Sequence, residues 1–233
     1  MTAPAIHIAH LTKKFGPMPA LNDLSLTLGG GQIVGLLGEN GSGKTTLLKI
    51  LAGALTQYEG EVLVHGRPIG PETKSMLSFL PDSSFLADGD TIEACIGVFG
   101  DFFADFNEAK CRSLLEFFRL DPARKLNTLS KGMREKVQIA LAMSRDAKVF
   151  LLDEPISGVD PAARDVLLEA IVRDLPEDAL VVISTHLIHD LEPVLDAVAL
   201  MRHGKILLTG DVDDLRAERN QSIDQLFREV YRS

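Results

Sequence analysis

The stretch Gly38-Glu39-Asn40-Gly41-Ser42-Gly43-Lys44-Thr45-Thr46 combines bare backbone, a cation and several hydroxyls in one short loop. Four residues separate Gly38 from Gly43, and Lys44-Thr45 follow at once. Glycine at those places lets backbone N–H groups and a helix N-terminus converge on a polyphosphate. Lys44 would then bear on the β- and γ-phosphates, Thr45 would give its hydroxyl to Mg²⁺, and the amides from Asn40 to Thr46 would wrap the phosphate oxygens. Far along the chain, Asp153-Glu154 supplies adjacent carboxylates. The first can hold a metal's ligand shell, and the second can polarise a water for attack on a γ-phosphate. His186 is the third candidate, as a contact to that same phosphate.

These groups can act together only if one scaffold brings them to one edge. Ile33-Val34-Gly35-Leu36-Leu37 before the loop and Leu47-Leu48-Lys49-Ile50-Leu51 after it predict strand, loop and helix. Val149 to Leu152 and Leu180 to Thr185 are continuous apolar runs, the pattern of parallel strands buried on both faces. Their C-terminal ends deliver Asp153-Glu154 and His186 to the edge that carries the glycine loop. Asp160-Pro161 opens a further helix with a capping acid and a proline at the first helical position.

Ile6 to Leu11 and Leu24 to Leu28 alternate with period two and read as half-buried antiparallel strands. Between them, Lys13-Lys14-Phe15-Gly16 reads as an exposed turn whose ring either joins the core or stacks on adenine. The helix after the glycine loop should end at Gly53. Glu61 to Ile69 reads as a hairpin, and Met76 to Leu80 as a strand stopped by Pro81. Asp82 to Arg145 shows no convincing strand; Thr91 to Phe103 and Glu108 to Leu120 have helical periodicity, with Asp105 or Asn107 as the second helix's cap. A hairpin from Val198 to Thr209 closes the sheet, and Asp211 to Ser233 is a charged helical tail with Leu226, Phe227 and Val230 available to dock.

With 233 residues and 45% hydrophobic content, the chain can build one sizeable α/β core with an inserted subdomain. A net charge of −9 argues against a nucleic-acid partner tracked along its phosphates. Cys95 and Cys111 read as buried, reduced thiols. Met1 to Ile8 has no basic-then-apolar leader pattern, and no stretch reaches the roughly 18 apolar residues of a membrane helix. These features predict a soluble, cytosolic protein.

Leu129-Ser130-Lys131-Gly132-Met133, shortly before the Asp153-Glu154 strand, opens a helix with apolar positions at Met133, Val137, Ala140, Leu141 and Met143. Ser130 as cap, with Gly132 close behind, leaves backbone donors at a positive helix end. Glycine loop, this segment, Asp153-Glu154, Ser157-Gly158-Val159-Asp160 and His186, in that order, resemble the nucleotide-binding subunits of ABC transporters over nearly the whole chain. The resemblance implies a P-loop α/β core with an antiparallel β subdomain at 1–81 and 147–210, a helical signature subdomain at 82–146 and a tail at 211–233. It implies ATP and Mg²⁺ as ligands, with Lys44, Glu154 and His186 catalytic and Thr45, Asp153 and Asp82 at the metal. It also implies a second ATPase protomer, identical in a homodimer or different in a heterodimer, packed head-to-tail. Phe15 and Gly38 to Thr46 of one copy and Ser130, Gly132 and Asp160 across the seam would then enclose each ATP. A separate transmembrane permease subunit would hold the protein at the inner face of the membrane, as in bacterial multidrug or bacitracin-type exporters. A soluble ABC ATPase acting on a non-membrane partner is the alternative.

The chain departs from the family pattern in three places. Asp82 stands where the family carries glutamine, Lys131 and Met133 replace the commoner glycine and glutamine, and Phe15 replaces tyrosine. A GTPase would need a guanine-reading Asn-Lys-x-Asp, which is absent, and a small-molecule kinase would need neither the capped helix nor Asp153-Glu154. From Phe85 to Phe106, Phe85, Leu86, Ile92, Ile96, Val98, Phe99, Phe102, Phe103 and Phe106 carry more apolar bulk than two short helices can hide. That surplus predicts a groove for a membrane partner's helix.

Overall fold

The computed structural model describes residues 4–232. The leader reading at Met1 and the tail reading at Ser233 therefore extend onto residues outside those described. In chain order the elements are β1 (Ile6–Phe15), β2 (Met18–Leu28), β3 (Gln32–Leu37), α1 (Lys44–Leu51), β4 (Glu59–Val64) and β5 (Arg67–Pro68). They continue with α2 (Pro71–Ser75), β6 (Leu77–Leu80), α3 (Ile92–Phe102), α4 (Glu108–Phe117), α5 (Lys131–Met143) and β7 (Val149–Asp153). The last third holds α6 (Pro161–Val172), β8 (Leu180–Thr185), α7 (Ile188–Leu191), β9 (Ala197–Arg202), β10 (Lys205–Asp211), α8 (Val212–Arg219) and α9 (Ile223–Arg232). An antiparallel sheet in the order β2-β1-β4-β5 lies beside a sheet in the order β10-β9-β3-β8-β7-β6, which is parallel except for β10. The fold is α/β, as expected.

The larger sheet works because its central strands are apolar on both faces. Val149 and Leu151 of β7, Leu180 and Val182 of β8, and Ala199 and Met201 of β9 pack with α1 and the antiparallel sheet. Their neighbours Phe150, Leu152, Val181, Ile183, Val198 and Leu200 point the other way, onto α3 to α6 and α9. Period-two alternation thus splits one sheet's side chains between two cores. Phe150 is fully buried, and truncating it to alanine would cost about 3–5 kcal/mol.

Several boundaries differ from expectation. Lys13 and Phe15 are not in a turn: β1 runs on to Phe15, which pairs with Met18 across a turn at Gly16-Pro17. Lys13 can lie in the strand because its ammonium donates to the Gln57 carbonyl at 2.6 Å. The short helix α2 went unforeseen. Helix α4 stops at Phe117, and Arg119 takes a positive φ of 55°. Asn107, not Asp105, caps α4, accepting from the Lys110 amide. Asp105 is instead engaged by Arg145, whose Nε lies 2.7 Å away and whose guanidinium stacks 3.9 Å over Phe103. Arg145 also donates to the Ser75 carbonyl, so this buried cation ties the helical segment to the turn before β6. Of the apolar surplus, Ile92 and Ile96 are buried, whereas Phe85, Val98 and Phe102 are exposed.

Candidate nucleotide site

Register decides what meets at the sheet edge. Leu37 of β3 lies opposite Thr185 of β8, Ser184 lies opposite Asp153 of β7, and Leu152 lies opposite Leu80 of β6. The next residues are Gly38, His186, Glu154 and Pro81-Asp82, so loop, imidazole and carboxylates leave adjacent parallel strands on one side. The glycines at the loop's two ends are sterically required. A Cβ on Gly38 would lie 2.5 Å from the Met201 carbonyl oxygen, and Gly43 has φ of 109° with the Ala20 carbonyl oxygen 2.6 Å from a notional Cβ.

Lys44 opens α1 and is buried at 5% exposure. Its ammonium donates to the carbonyls of Gly38 at 2.7 Å and Glu39 at 3.2 Å and lies 3.5 Å from Glu154 Oε1. Burial lowers its pKa, a pull that the charges of Glu154 and Asp153 oppose. Glu154 adopts a positive φ of 51°, and its other oxygen, Oε2, lies 2.9 Å from His186 Nδ1. One carboxylate therefore joins the lysine to the histidine.

Asp153 Oδ1 accepts from Ser184 Oγ at 2.6 Å and Thr45 Oγ1 at 3.2 Å. Its Oδ2 is buried without a hydrogen-bond partner. Burial raises the Asp153 pKa; the Ser184 and Thr45 hydrogen bonds resist, and the charges of Asp82 and Glu154 add to the rise. An orphaned carboxylate oxygen beside a threonine hydroxyl is a donor set that suits a hard divalent cation, with further oxygens supplied by phosphates. Ser184, whose Oγ also accepts from the Glu154 amide at 3.0 Å, was missed in the sequence because it closes an apolar strand. The signal was a polar pair, Ser184-Thr185, at the end of a run otherwise apolar.

A cleft of about 340 Å³ opens here, lined by Phe15, Ala20, Asn40, Gly41, Gly43, Lys44, Thr45, Thr46, Asp82 and Glu154. Phe15 is 54% exposed, with Lys13 Nζ 5.0 Å over its ring, so it is not a core residue. Gly38 and Glu39 contribute through their carbonyls, and Ser42 Oγ is buried without a partner. Ser130, Gly132 and Asp160 do not line the cleft. Ser130 caps α5 by accepting from the Met133 amide, Asp160 caps α6 by accepting from the Ala163 amide, and Gly132 packs towards Val159.

A glycine loop between strand and helix, facing a strand that ends in two acids, defines a P-loop nucleoside triphosphatase. The family model for ABC transporters matches residues 21–157, and this chain belongs to that family. It is 31% identical over 219 residues to the Nod factor export ATP-binding protein I of Rhizobium sp. (strain N33), covering 90% of this chain and 72% of the relative. An uncharacterised ABC transporter ATP-binding protein of Methanocaldococcus jannaschii is 31% identical over 217 residues, covering 91% and 79%. The solved structure of an ATP-binding subunit of an ABC transporter superposes with a TM-score of 0.86 at 27% identity, covering 97% of this chain and 99% of the other. The chain is an ABC transporter ATP-binding subunit and an ATPase. No described helix is long and apolar enough to cross a membrane.

Proposed function

We propose that this chain binds Mg-ATP in the cleft, closes head-to-tail with a second ATPase protomer around two nucleotides, and drives export through a separate transmembrane subunit. The observation that carries the catalytic part is Glu154, whose carboxylate lies between Lys44 and His186. On nucleotide binding, Lys44 keeps its seat on the Gly38 carbonyl and exchanges its Glu154 partner for β- and γ-phosphate oxygens, and the loop amides take the remaining charge. Glu154 orients the attacking water, while His186 holds the carboxylate and contacts the γ-phosphate. Thr45 and Asp153, with Asp82 beside them, would hold Mg²⁺, which supplies charge neutralisation at the phosphates. Phe15 would stack on the base. Ser130, Gly132 and Asp160 of the second copy would close the site, which fits their lying away from the cleft of their own chain.

An apolar groove supports the reading of a transmembrane partner. Phe79, Pro81, Phe85, Phe99 and Phe103, with Ser78 and Arg145 at its edge, line a largely apolar depression of about 320 Å³ directly beside the Asp82 loop, and Val98 and Phe102 are exposed on α3, which contributes Phe99. A helix laid there would feel the nucleotide state through Pro81-Asp82. The Rhizobium relative, named for Nod factor export, supports the outward direction. This reading puts the protein at the cytoplasmic face of a membrane. Affinity purification from detergent-solubilised membranes tests it: a multi-spanning protein should be retained by wild type and lost with Phe85→Ser, which removes an exposed ring from the groove. Retention that is indifferent to Phe85 would refute the groove, and failure to retain any such protein would refute the transporter role.

A further inference from the structure

Helix α9 is fastened at both ends, and both fastenings lead to the nucleotide site. Along its length Ile223 and Leu226 are buried, and Phe227 and Val230 pack against the same core. At its start, the buried Glu192 carboxylate accepts from the amides of Ile223 at 3.0 Å and Asp224 at 3.4 Å and from Arg216. Glu192 follows α7, the helix that begins just after His186. At its far end, the Tyr231 ring stacks on Phe227 with centroids 4.2 Å apart and lies beneath the Arg202 guanidinium.

The Tyr231 hydroxyl reaches beyond those apolar contacts. It donates to the Met201 carbonyl oxygen, on the strand whose Leu200 pairs with Leu37. A Cβ placed on Gly38 would lie 3.2 Å from the same hydroxyl and 2.5 Å from that carbonyl oxygen. Gly38, packed against that hydroxyl and carbonyl, is the residue whose own carbonyl accepts from Lys44 at 2.7 Å. Phenylalanine would keep the ring stack, so the hydroxyl's contribution is polar and directed at the Met201 carbonyl that abuts Gly38.

We propose that Tyr231 is a positioning residue for the nucleotide loop, fixing through its hydroxyl the Met201 carbonyl against which Gly38 packs, and so the Gly38 peptide that orients Lys44 towards the phosphates. A loop fixed before ligand arrives loses less freedom on binding, so the hydroxyl contributes to affinity without touching the nucleotide. The proposal rests on the ATPase reading of the cleft, and Lys44→Ala tells the two apart. Titration of a fluorescent ATP analogue into the full-length chain should show Tyr231→Phe raising Kd about three- to tenfold, the worth of one hydrogen bond. KM should rise alongside while kcat stays within about twofold and the melting temperature within about 2 °C. In a Lys44→Ala background the Tyr231→Phe effect should shrink to nothing, since its lever has been removed. Unchanged Kd in Tyr231→Phe, or full additivity with Lys44→Ala, would overturn the proposal. A lower melting temperature with unchanged KM would reduce Tyr231 to a packing residue. If Lys44→Ala itself binds nucleotide normally, the cleft assignment falls instead.

Discussion

Replacing Glu154 by glutamine removes one charge and keeps the shape of the side chain. In the structure that charge does two things: it draws Lys44 at 3.5 Å through Oε1 and holds His186 at 2.9 Å through Oε2. Unit charges at that lysine distance attract by roughly 5 kcal/mol at an effective dielectric near 20, a gross figure that the desolvation of both groups offsets. Glutamine cannot compete for the ammonium with an arriving triphosphate, so nucleotide affinity should hold or rise. Turnover should fall, because a neutral amide cannot take the water's proton; loss of a positioned base costs about 10²- to 10⁴-fold, or roughly 3–5 kcal/mol of barrier. With hydrolysis stopped, Mg-ATP should trap a dimer, detectable as a shift in gel filtration that ADP does not produce. Phosphate release measured at saturating ATP checks the chemical step. A Glu154→Gln protein that turns over at the wild-type rate and remains monomeric would refute the assignment of the base.

Asp82→Asn keeps the side chain's volume but removes a charge that Asp153 feels, so the apparent Mg²⁺ affinity of the nucleotide complex should fall about tenfold in a metal titration. An unchanged titration would make Asp82 an ordinary loop acid. Phe102→Ser should leave melting temperature and soluble ATPase activity alone, because the ring is 79% exposed. Phe103→Ser, which removes the ring under Arg145, should lower the melting temperature by several degrees; equal behaviour of the two variants in thermal denaturation would contradict this placement. Burial pushes the Cys111 thiol up to about 12 from an ordinary 9.0. Its folded pKa is raised, so the folded state keeps a proton that the unfolded chain gives up, and stability contributed below pH 9 is lost as pH climbs towards 12. The expected slope is about 1.4 kcal/mol per pH unit in that window. Denaturant titrations of wild type and Cys111→Ala at pH 8 and 10.5 should show the alkaline loss shrinking in the variant.

What could be read from the sequence was local. The glycine loop, the two acids and the capped helices depend on residues within a few positions of one another, and their register follows from apolar strands that have no other way to pack. Interactions between distant segments escaped. Lys13-Lys14 looked like the charges of a turn because nothing near them announces Gln57, whose carbonyl lets Lys13 stay inside a strand. Asp105 and Asn107 are equally good caps by sequence; Arg145, two residues past the end of α5, claims the aspartate. Ser184 was concealed by the apolar run it ends. Tyr231 stands almost two hundred residues from the loop it touches, and only the fold brings them together.

The two-sided packing of the central strands also bears on how such a chain can change over generations. Leu151 and Val182 answer to α1 and the antiparallel sheet, whereas Phe150 and Ile183 answer to the inserted helices. Side chains on opposite faces of a sheet share no partners, so substitutions on one face leave the other's fit nearly intact. A lineage can therefore redraw the helices that meet a new partner while inheriting its ATP-facing layer unchanged. The strands act as a party wall between two tenants, and each can be refurnished separately.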